Sequence, residues 1–141
     1  LERETYIDLF KHMNEKAVDT SNLFLRSAIL INGGAAVAVL GFVAAIAKAD
    51  QAFTETIVGV AGAISYFALG AAAGVICIAI AYLTHYATLA TLDQTGGARK
   101  EVFGNIKRFV HVCAILVATA SVAFFLLGVL EVKSAILIGL V

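Results

Sequence analysis

The chain reads as an all-α integral membrane protein: a helical bundle of three transmembrane helices, with a truncated fourth as the variant, and a cytoplasmic N-terminal helical extension. Three observations predict it. The 141 residues are 61% hydrophobic and 14% charged, against about 25% charged in a soluble domain. The uncharged residues gather in three long runs. There is no proline, so no ring clash or missing N–H interrupts a helix. A mean hydropathy of +0.95 agrees.

The runs set spans at about 28–47, 57–81 and 109–130. The first, Ala28–Ala47, has Asn32 as its one strongly polar residue. Its Ala45-Ile46-Ala47 end resembles a leader cleavage site, but the run is too long and its flank too mixed in charge for a leader. The second run, Ile57–Leu92, holds no Asp, Glu, Lys or Arg. A helix crosses the hydrocarbon with about 20 residues at about 1.5 Å each. Several turns are therefore left over, and from Tyr82 they carry Tyr, Thr and His, side chains that suit an interface. The third run, Phe109–Leu130, is bounded by Lys107-Arg108 and Glu131. After it, Ser134–Val141 reads as an interfacial tail or as the start of a fourth span.

Basic residues orient the chain. Arg3, Lys11, Lys16 and Arg26 precede the first span; Arg99, Lys100, Lys107 and Arg108 separate the second and third. The first connection has Lys48 beside Asp50 and Glu55. The positive-inside rule then places the N-terminus and the Gly96-Gly97 turn in the cytoplasm, as for a bacterial inner membrane or its equivalent.

Residues 1–27 form an amphipathic cytoplasmic helix continuous with the first span, and 28–141 form the transmembrane domain. Tyr6, Phe10, Met13, Ala17, Thr20, Phe24 and Ser27 alternate spacings of four and three, the heptad pattern of an oligomerisation seam. The same count continues through Ile31, Gly34, Ala38, Gly41 and Ala45. Large apolar groups stabilise contact in water; small ones let helices approach in lipid. The seam packs either on the chain's own helices or on other subunits. Extensions of all three helices are expected to bundle below the membrane. In the second run Gly70 and Gly74 form a GxxxG packing face. Ala114, Ala118 and Ser121 offer similar small-residue spacing in the third.

Asn32, His85 and His111 are candidates for a polar lining or interface. An amide inside a span needs partners. The two histidines flank the turn at similar distances, an arrangement that can hold haem iron, although imidazoles near an interface need no such role. Cys77 and Cys113 show no ligand spacing, so no metal or cofactor is assigned. No charge lies deep in any span, which argues against proton pumps, voltage sensors and coupled transporters. Catalytic motifs are absent from the sequence, and no basic surplus points to nucleic acid: ten basic residues balance ten acidic ones. The expected function is that of a non-enzymatic homo-oligomer that forms pores or perturbs the bilayer, like phage holins or bacterial membrane effectors in architecture alone. The alternative is a structural or anchoring subunit that holds a protein partner at the cytoplasmic extension. A haem-binding redox subunit is a distant third.

Overall fold

A computed structural model describes residues 2–47, 54–92 and 98–138, and the side chains of 3–47, 54–85 and 104–138. All three segments are helical: α1 (Glu2–Ile46), α2 (Thr54–Leu92) and α3 (Ala98–Ile138). They contain 45, 39 and 41 residues. Each is long and apolar enough to cross a membrane. Lys48, Asp50 and the turn at Gly96-Gly97 lie outside the described residues.

α1 is unbroken although it carries Thr20 and Ser21. Both hydroxyls turn back onto the helix, Thr20 Oγ1 donating to the Lys16 carbonyl and Ser21 Oγ to that of Ala17, each at 2.8 Å. Such back-bonding satisfies a helical hydroxyl without an outside partner. At its other end the Ala47 N–H reaches the Val43 carbonyl at 2.9 Å. α3 continues without interruption past Glu131 to Ile138. Residues 134–138 therefore extend α3, because neither Gly nor Pro occurs between Val129 and Ile138 to end it.

α2 lies between the other two helices, which scarcely touch each other. Its neighbours bury 33% of its most apolar stretch, against 6% for α1 and 11% for α3. The core is Val39, Val60, Ala63, Phe67 and Ala135. Close approach depends on glycine. A Cβ at Gly59 would lie 2.7 Å from that of Ala135, and one at Gly128 would lie 2.6 Å from the Phe67 ring. That ring tilts 49° against Phe125, with centroids 5.9 Å apart, inside the range of favourable aromatic pairs.

Between Arg3 and Phe24 every residue except Val18 is exposed. The α1 extension is therefore exposed along nearly all of its described length. The parts of α2 and α3 expected beside it, 86–103, are not among the described side chains.

The contacts also fix relative depth. Asn32 is level with Gly70, and Ile29 with Gly74. Gly62 is level with Glu131, and Cys77 with Ala114. Counting along the antiparallel helices from these pairs, the apolar run of α1 lies beside about 55–74 of α2, and that of α3 beside about 63–84. The two runs are thus offset by roughly 13 Å at about 1.5 Å per residue.

Candidate functional site: a polar node between the three helices

Asn32 is the most polar side chain in the first apolar run, yet it is 1% exposed. Its Nδ2 donates to the Ala28 carbonyl one turn back at 2.9 Å and to the Ser121 carbonyl of α3 at 3.3 Å. Ser121 is fully buried, and its Oγ donates to the Gly70 carbonyl of α2 at 2.7 Å. Two side chains and two backbone carbonyls thereby join three helices at one level.

The remaining acceptor, Asn32 Oδ1, is buried without a hydrogen-bond partner. It points at Gly70, where a Cβ would collide with the amide. Removal of that Cβ exposes the Cα hydrogens of Gly70 to Oδ1, an arrangement suited to a weak Cα–H···O contact. The opposite amide orientation would turn Oδ1 toward two carbonyls and leave both N–H groups facing carbon, so the two carbonyls select the observed one. The other buried polar atom without a partner among the described residues is Thr56 Oγ1, near the start of α2.

The residues singled out by sequence fall into two groups. Gly70 and Gly74 are buried between helices: Gly70 faces Asn32, and a Cβ at Gly74 would come within 2.7 Å of Ile29. Gly34, Ala38, Gly41 and Ala45 face outward, and a Cβ at Gly34 or Gly41 would meet nothing within 4 Å. Tyr6, Phe10, Met13 and Phe24 are exposed at 69%, 64%, 63% and 47%. One face of α1 is thus left uncovered by its own chain. The face that does pack on α2 carries Leu25, Ala28, Asn32 and Val39.

His85 and His111 are both exposed. Among the described residues no three His, Cys, Asp or Glu side chains converge as metal ligands would. Both cysteines are free thiols, and Cys77 Sγ donates to the Ala114 carbonyl at 3.2 Å. The sequence reading missed the Ser121–Gly70 bond and the close glycines Gly59 and Gly128. Gly59 and Gly128 each interrupt an apolar run with a residue that has no side chain to pack, and that was the available signal.

The architecture is that of an all-α protein whose three helices are each long and apolar enough to span a bilayer. Comparison with known proteins finds no matching family model, no similar curated protein and no similar solved structure.

Proposed function

We propose that this is a non-enzymatic integral membrane protein that self-assembles along α1 and acts by opening or perturbing the bilayer. Its N-terminus lies on the cytoplasmic side, where the basic residues before the first span and between the other two would be retained. One observation supports assembly above all. The seam from Tyr6 to Ala45 keeps a single helical face, and that face is exposed nearly throughout its length. It is aromatic where water would surround it and small where lipid would. The polar node gives each chain a defined internal packing, so subunits meet as preformed units.

Dye-loaded liposomes test the activity. Addition of the protein is expected to release dye, and Phe10→Glu with Met13→Glu to reduce release at least tenfold while far-UV helicity persists. A protein that inserts but releases nothing under any lipid composition or voltage is not a pore former. A second reading, an anchoring subunit, draws on the exposed extension from Arg3 to Phe24. It is favoured if native purification returns one copy of this chain with a stoichiometric protein partner.

A further inference from the structure

Between α2 and α3, on the side toward the proposed cytoplasmic face, lies a cleft of about 370 Å³. Its walls include Ile80 and Leu83 of α2 and Ile106 and Val110 of α3, with Lys107 and Cys113 also on its lining. Ligand sites run from roughly 300 to 1,000 Å³. We propose that this cleft binds an anionic phospholipid, one acyl chain lying along the apolar walls and the phosphate on Lys107. The inference rests on the membrane-spanning reading, and is independent of self-assembly and of pore activity.

Charge and depth select this occupant. Lys107 is exposed and Arg108 follows it, and they are the charged residues of α3 from 104 to 130. α2 has no charged residue from Ile57 to Leu92. Among the described side chains of these two helices no carboxylate lies at that level. A helical side chain leans toward its N-terminus, so the Lys107 ammonium leans from the apolar walls toward the proposed cytoplasmic headgroups. A basic pocket between membrane helices on the cytoplasmic side is a recurrent anionic-lipid site. A neutral lipid would fill the walls equally well and leave the ammonium without a net counter-charge.

Cys113 provides a built-in reporter because it is half-buried on the lining. The full chain is placed in phosphatidylcholine nanodiscs with or without phosphatidylglycerol, and alkylation by N-ethylmaleimide is followed by peptide-resolved mass spectrometry. Phosphatidylglycerol is expected to slow Cys113 at least threefold. Val112→Cys supplies a control thiol at the same depth, on an exposed position off the lining. It reports the effect of membrane charge on any thiol and is expected to slow much less. Lys107→Gln should abolish the extra protection at Cys113, and Lys107→Arg should retain it. Equal slowing of both thiols overturns the proposal, as does full protection in Lys107→Gln. Equal protection by phosphatidylcholine alone also overturns it, since the cleft would then take any acyl chain. Failure in any of these ways leaves dye release untouched, so the two readings are separable.

Discussion

At the residue scale the node makes a prediction with an internal control. Gly70→Ala drives a methyl group into the Asn32 amide, and overpacking of this kind costs about 1–3 kcal/mol. Asn32→Ala removes the obstacle, so in that background Gly70→Ala should be neutral or stabilising, because alanine favours a helix over glycine by about 1 kcal/mol. Unfolding the four proteins of this double-mutant cycle in SDS titrations measures the coupling, and simple additivity would disprove the contact. Ser121→Ala should be milder, about 0.6 kcal/mol and at most about 1.7 kcal/mol, the range for hydrogen bonds between membrane helices. Asn32 was legible in sequence as a lone amide among apolar residues. Its partner was not, because Ser121 lies 89 positions away and spacing along a chain does not show which faces of two distant helices meet.

At the element scale α1 has two distinct faces, one buried and one exposed. Leu25, Ala28, Asn32 and Val39 pack inward on α2, while the seam residues look away. Gly41→Leu meets nothing within the chain, so it should leave monomer stability unchanged and weaken assembly by crowding the small-residue face. Native mass spectrometry in nanodiscs, alongside thermal unfolding, checks both halves; a destabilised monomer would show that Gly41 packs internally. The helices themselves were readable from charge-free runs and the absence of proline. The choice of inward face was not, because both faces of α1 inside the apolar run repeat at spacings of three and four. A helix that is apolar all round gives periodicity nothing to distinguish. In the extension the amphipathic stripe was legible from its spacing, and the structure leaves it exposed from Tyr6 to Phe24.

At the scale of the whole molecule the offset between the apolar runs, in the proposed membrane-spanning arrangement, bears on bilayer thickness. Arg26 is level with about residue 76 of α2, and Glu131 with Gly62. The layer free of charge on all three helices is therefore only about 20 Å thick at about 1.5 Å per residue, against about 30 Å of hydrocarbon in an ordinary bilayer. Arg26 is exposed and leans toward the N-terminal side of α1, so it reaches headgroups more readily than its depth alone implies. The protein should accordingly be more stable in nanodiscs of 14-carbon than of 22-carbon lipids, and Arg26→Leu should narrow that difference. An equal midpoint of thermal unfolding in both would contradict the depth assignment. No single apolar run revealed this, since each is of ordinary length; the mismatch exists only once the helices are set side by side.

The node at Asn32, Gly70 and Ser121 then has an implication beyond packing. It locks the vertical register of α1 against α2 and α3, and with it the distance between the positive charge of Arg26 and the charges at Glu131 and Lys133. In the proposed membrane-spanning arrangement these contacts would act as a gauge: they would set the membrane thickness at which the molecule is at rest, and a thicker bilayer would pinch inward around it.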